Sequence, residues 1–245
     1  MKKRLNFITD SLGMVRPSSN SDSILYDDLY HAKLEKEVFD KYYVVSNCFR
    51  GLTTDIVNSE QFIYDYISSS KSDYFIFHLG ICDCTPRLFS VNQKRFLKLL
   101  DLINLNFIKN LIIKFFSNNR FFFTKLFPKT YVDLNKFFSN FSDIIIKINK
   151  ANPKSQIIII NIIDTNENNS KRTYNFLNNI RAYNKKIEKI KFKYSNVQIL
   201  DINLYSKNDL SKFLLEDGIH LTKYGHNFIF EKLKNDFINS KIRLS

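Results

Sequence analysis

The chain has 245 residues, 44% of them hydrophobic and 25% charged, and a formal net charge of +13. That length can bury a substantial core, so one domain over 1–245 is expected, and no apolar run reaches the ~18 residues of a membrane span. Cys48, Cys82 and Cys84 form neither a disulfide framework nor a zinc spacing, and a cytoplasmic protein with reduced thiols is expected.

The basic start Met1-Lys2-Lys3-Arg4 leads at once into Asn6 and Asp10, leaving no room for a signal-peptide apolar segment. The positive charge raises nucleic acid or an anionic membrane surface as partners. Gly-rich phosphate loops and known nucleic-acid motifs are absent, so no nucleic-acid partner is expected. Average usage would place about 17 glycines in a chain this long. There are five, at Gly13, Gly51, Gly80, Gly218 and Gly225, which marks those positions as ones where backbone geometry demands glycine.

In chain order, Leu5-Asn6-Phe7-Ile8 reads as a buried strand that delivers Ser11 to a turn. Residues 15–30 read as loop and Tyr30 to Asp40 as a helix. Tyr42 to Ser46 is a second strand, followed by Asn47–Thr54 and a helix over 59–69. The run Asp73 to Leu79 is a third strand and ends at Gly80-Ile81-Cys82-Asp83. A helix over 131–150 closes at Asn152-Pro153. Gln156 to Ile163, with its unbroken isoleucines, reads as a strand buried on both faces. Phe176, Ile180, Tyr183, Ile187, Ile190 and Tyr194 recur at helical spacing. Val197 to Ile202 is a fifth strand and Tyr224 to Asn239 a closing helix. Strands alternating with helices imply a parallel sheet covered on both faces, with reactive groups at the carboxyl ends of the strands.

Residues 88–130 break this rhythm. They carry eight Lys or Arg against one acid, Asp101, and are dense in phenylalanine. Two inserted helices are expected there, as a structural cover, a lid or an oligomer interface, with a membrane-surface or nucleic-acid patch the remaining reading.

Asp217 and His220 stand three residues apart beside Gly218, just before the last helix. On a tight turn the carboxylate can reach back to Nδ1 of the imidazole, leaving Nε2 to take a proton. Ser11 is the candidate nucleophile.

These residues carry a family resemblance. Thr9-Asp10-Ser11-Leu12 resembles the first block of the SGNH, or GDSL, hydrolases, with Thr9 in place of the usual glycine. Gly51 in Asn47–Thr54 resembles the second block. Leu79-Gly80-Ile81-Cys82-Asp83 resembles the third, and Asp217-Gly218-Ile219-His220 the fifth. The string His78 to Arg87 is similar to a bacterial subgroup linked to surface-polysaccharide biosynthesis.

The resemblance implies a three-layer, flavodoxin-like α/β/α sandwich with about five parallel strands and a helical insertion after the third. It implies a serine esterase that cleaves small acyl esters, O-acetyl on a carbohydrate first among them. Ser11 is then the nucleophile, His220 the base and Asp217 its orienting acid. Ser11, Gly51 and Cys82 line the oxyanion hole, Cys82 standing where the family has an asparagine amide, and a thiol is a poor donor. The alternatives are a sugar O-acyltransferase with the same triad, or a catalytically weak binding protein on this fold.

Arg16 and Arg87 follow rim loops. Either could meet an anionic sugar, and Arg87 is the substrate-binding choice. His78 reads as a hydrogen-bonded core histidine, His226 as structural, and Asp10 and Asp83 as loop-stabilising. No cofactor and no metal are expected, because the four histidines are scattered without ligand spacing.

Overall fold

The computed structural model describes residues 2–17 and 23–239. Five strands, β1 (Lys3–Thr9), β2 (Tyr42–Cys48), β3 (Tyr74–His78), β4 (Gln156–Ile160) and β5 (Val197–Leu200), form one all-parallel sheet. Its order is β2-β1-β3-β4-β5, the flavodoxin-like order in which the chain reverses direction across the sheet at β1 and β3. Between and after the strands run α1 (Tyr30–Val38), α2 (Val91–Leu102), α3 (Asn106–Asn118), α4 (Arg120–Leu126), α5 (Leu134–Ala151), α6 (Phe176–Lys193) and α7 (Lys223–Lys232); between β2 and β3 an α-turn, Glu60–Phe62, runs on as a π-helix, Ile63–Ser68, and α7 likewise runs on as a π-helix, Leu233–Asn239.

Strand side chains alternate faces, and the two cores follow that alternation. Ile8, Phe75, Phe77, Ile157 and Ile159 pack with Phe137, Phe141 and Ile145 of α5 and Ile180, Ile187 and Ile190 of α6. Leu5, Phe7, Ile76, Ile158 and Ile160 pack on the other face with Tyr30 and Leu34 of α1 and Ile229 of α7. This makes three layers. Each fully buried isoleucine or phenylalanine contributes ~1.5–3 kcal/mol. Asn6 is the polar exception in β1, and it is satisfied. Its amide donates to Tyr66 O at 2.7 Å and its carbonyl accepts from Asn47 Nδ2 at 2.9 Å.

The expected elements are present with shifted ends. β4 stops at Ile160, not Ile163, because the backbone there leaves the sheet for side-chain partners: Ile162 N–H donates to Asn184 Oδ1 at 2.9 Å. α5 begins at Leu134 because Asp133 caps it, accepting from Asn135 and Lys136 N–H at 3.0 Å. The insertion holds three helices where two were expected. Asn104, with φ of +56°, breaks α2 from α3, and Asn119 separates α3 from α4. Of the loop expected over 15–30, residues 18–22 lie outside the described residues.

Because the strands are parallel, the segments after Thr9, Cys48 and His78 share one rim. Backbone bonds join them there, from Asp10 N–H to His78 O at 3.4 Å and from Phe49 N–H to Thr9 O at 3.1 Å.

Candidate active site

Ser11 opens a one-turn helix, Ser11–Gly13, at the end of β1. Asp10 caps this turn, its Oδ1 accepting from Leu12 N–H at 2.9 Å. Gly13 is required, since a Cβ there would collide with Thr9 Oγ1. His31 braces the turn from α1, with Nε2 donating to Gly13 O at 2.9 Å and Nδ1 accepting from Ser46 Oγ at 3.0 Å.

The Asp217–His220 turn reaches the same rim from the far end of the chain. Ser11 Oγ lies 3.1 Å from His220 Nε2, and His220 Nδ1 lies 2.6 Å from Asp217 Oδ2. Asp217 Oδ1 also accepts from Ile219 and His220 N–H, each at 2.9 Å. Burial acts to raise the Asp217 carboxyl, but the His220 ring and these backbone donors outweigh it and hold the group well below the usual carboxylate range. An ionised Asp217 places the ring proton on Nδ1 and leaves the Nε2 lone pair facing Ser11.

Gly218 makes the turn possible. Its φ is +65°, and a Cβ would strike the Asn166 side chain. The segment after β4, which enters the short helix Glu167–Arg172, clamps this turn through three side chains. Thr165 Oγ1 donates to Gly218 O at 2.8 Å, Asn169 Nδ2 to Asp217 O at 2.6 Å, and Asn166 Nδ2 to Glu216 O at 3.1 Å. Sequence reading did not single out these three residues. Their only signal was position, at the carboxyl end of a strand, the edge where reactive groups gather.

Gly51 has φ of +72° and is exposed on the turn after β2. Its N–H makes no intramolecular hydrogen bond among the described residues. The N–H of Ser11 is the first of its helical turn and has no intrahelical acceptor.

Cys82 is buried in the one-turn helix Ile81–Cys84, its thiol against the Asp10 carboxylate, and burial pushes the thiol up. Burial likewise raises Asp10 to about 7, with the Asp83 charge adding to the rise. Asp83, pushed up to about 6 mainly by burial, ties the third rim loop to the second. Its Oδ1 accepts from Thr54 N–H at 2.9 Å and from Thr54 Oγ1 at 2.6 Å.

Arg87 donates to Cys82 O at 2.8 Å and stacks 4.0 Å from the Tyr131 ring centroid. Neither partner belongs to the Ser11–His220–Asp217 group. His78 is a core histidine, with Nδ1 3.2 Å from Tyr30 OH, and His226 stacks on Tyr30 at 5.5 Å. Burial lowers both to about 3, so they are neutral. Arg16 Nη2, by contrast, lies directly on His220 Nε2.

The sheet order and the grouping at its rim define a class of fold, the flavodoxin-like sandwich found in solved acylhydrolases and carbohydrate esterases. A lipase/acylhydrolase from Enterococcus faecalis superposes with a TM-score of 0.63 at 12% identity, covering 96% of each chain. An acetylxylan esterase from Geobacillus stearothermophilus gives 0.60 at 16% identity, over 95% of this chain and 93% of that one. A carbohydrate esterase family 3 protein from Talaromyces cellulolyticus gives 0.62 at 12% identity, over 99% and 100%. No family model matches the sequence, and no curated protein matches it.

Proposed function

We propose that the protein is a serine ester hydrolase of the SGNH type that removes a small acyl group, O-acetyl first among them, from a carbohydrate. The observation that carries this reading is the unbroken chain of hydrogen bonds from Ser11 Oγ through His220 to Asp217, at 3.1 and 2.6 Å. A serine hydroxyl is a weak nucleophile until a base takes its proton, and His220 Nε2 stands where that base must be. Ser11 Oγ attacks the acyl carbonyl as its proton passes to Nε2. The oxyanion then meets the free N–H groups of Ser11 and Gly51. His220 returns the proton to the departing sugar oxygen, and water releases the acyl group from Ser11 by the same steps.

The carbohydrate part of the reading is supported by the acetylxylan and carbohydrate esterases that share the fold. The whole chain serves as one unit in this proposal, with 88–130 as an insertion. The free cysteines suit a reducing, cytoplasmic setting, and acylated surface polysaccharide or its precursors are the substrates of choice.

We also infer that the insertion meets an anionic membrane surface. α3 has no buried residue, and Leu102, Phe107, Leu111 and Phe115 are among the large apolar side chains exposed on α2 and α3. Asp101, the one acid of the segment, is paired with Lys109. A second copy on this face would set two strongly basic surfaces together, whereas anionic headgroups complement it.

Hydrolysis of an acetylated xylo-oligosaccharide tests the main reading. Wild type should release free acetate, and Ser11→Ala should lose at least ~10³-fold in kcat. Acetate found only on an added sugar acceptor would make the protein a transferase. Equal release by both proteins would remove Ser11 from the chemistry.

A further inference from the structure

With Nδ1–H given to Asp217, His220 has one lone pair left, on Nε2, and two donors reach it. One is the Ser11 hydroxyl and the other is Arg16 Nη2. Arginine does not deprotonate in proteins, so Arg16 is a permanent cation and a permanent donor. While the lone pair accepts from Arg16 it cannot also take the proton of Ser11. A cation at that atom further opposes the imidazolium that catalysis must form.

Arg16 is nonetheless built into this position. Its backbone pairs with Ile24 in an antiparallel bridge, with N–H to O distances of 2.8 and 2.9 Å. Its guanidinium is partly withdrawn from water. Burial pulls its pKa below the ordinary value, and Arg50, from the loop after β2, pushes the same way against Asp217 and Asp10. Asp217 is engaged by His220, and Asp10 lies buried against Leu12 N–H and Cys82. Among the described residues Arg16 therefore has no carboxylate in an ion pair, and its buried Nε has no hydrogen-bond partner. Asp217 and Asp10 thus offset the Arg16 charge only from a distance, each being engaged by another partner.

We propose that Arg16 forms an anion subsite next to Ser11, and that the substrate's own oxyanion group draws Arg16 off His220 and frees Nε2. This inference rests on the esterase reading and narrows its substrate class. The substrate is an O-acyl ester whose sugar carries a carboxylate or a phosphate within a few atoms of the ester oxygen. The planar guanidinium fork suits either group, binding two oxygens at once. The anion then acts as ligand and release signal together. A neutral ester leaves Arg16 on the base.

The test compares O-acetyl glucose, O-acetyl glucuronate and O-acetyl glucose 6-phosphate as substrates of wild type, Arg16→Gln and Arg16→Lys. For wild type, kcat/KM should be at least about 10-fold higher on one of the two anionic sugars, and which of them wins identifies the group. Arg16→Gln should lose about 10- to 100-fold on the preferred anionic ester and gain several-fold on the neutral one, because the competition for Nε2 is removed. Arg16→Lys should keep part of the anion preference. Wild type without anion preference would overturn the proposal. So would equal losses for Arg16→Gln on all three sugars, the mark of a structural role. Fluorophosphonate labelling of wild type separates the two levels. Labelling of Arg16→Gln beside wild type completes the separation: a labelled Ser11 with no anion preference defeats this inference alone, and a Ser11 that stays unlabelled in both proteins defeats the esterase reading with it.

Discussion

Cys82 is where the chain departs from the pattern its other blocks resemble. The position lies after Gly80, where an asparagine amide would face the oxyanion, and its thiol instead faces the buried Asp10 carboxylate. A thiol is a weak donor, and this one is turned to a structural partner. Cys82→Ala should therefore change kcat on an acetyl ester by less than about 3-fold. Cys82→Asn should raise it, by up to ~10²-fold if the amide reaches the oxyanion, by analogy with the cost of deleting such a donor. Steady-state kinetics on 4-nitrophenyl acetate decides the matter. An inactive alanine variant would mean the thiol takes part in the chemistry.

Residues at this scale differed in how readable they were. Asp217 and His220 were readable because their partnership is local, three positions apart on one turn. Thr165, Asn166 and Asn169 were not, because each acts on a backbone carbonyl about fifty residues away. The meeting of Arg16 with His220 likewise joins residues 204 positions apart.

Among the elements, the insertion is the least self-sufficient. α2 has a proper start, a capping box in which Ser90 Oγ accepts from Gln93 N–H at 3.3 Å and Gln93 Oε1 from Ser90 N–H at 2.8 Å. α4 is anchored to the sheet side, with Arg120 donating to Thr173 Oγ1 and Pro86 O at 2.8 Å each. α3 between them buries no residue fully: its half-buried Phe116 packs on Phe89 and Phe123, and its outer apolar face stays exposed.

Vesicle sedimentation measures what covers that face. The protein should bind vesicles of mixed phosphatidylcholine and phosphatidylglycerol, and bind phosphatidylcholine alone much less. Each Lys or Arg near an anionic surface contributes ~1 kcal/mol, so added salt should weaken binding steeply. Leu102→Ser with Phe107→Ser should abolish it while leaving ester hydrolysis intact, because both side chains point into solvent. A dimer that the same two changes dissolve, with no vesicle binding, would assign the face to a second copy. The composition of 88–130 announced an exposed basic, aromatic segment, but not its three-helix form. The breaks, three residues around Asn104 and the single residue Asn119, carry no glycine or proline to mark them.

At the scale of the whole molecule, the sheet performs one task for the site. It brings the ends of β1, β2 and β3 to a common rim and leaves the last turn before α7 to close over them. Each strand was readable from its apolar run, and the parallel arrangement from the intervening helices. Strand ends were less so, because β4 and β5 stop where Asn161, Asn184 and Asp201 take over the backbone and neighbouring side chains. The central claim is that this frame activates Ser11. Stoichiometric labelling with a serine-directed fluorophosphonate tests it without knowledge of the substrate, followed by intact mass. Wild type should take up one label per chain, His220→Ala should label far more slowly, and Ser11→Ala should take up none. Labelling of Ser11→Ala to the same extent as wild type, or no labelling of either folded wild type or folded Arg16→Gln, would contradict the account.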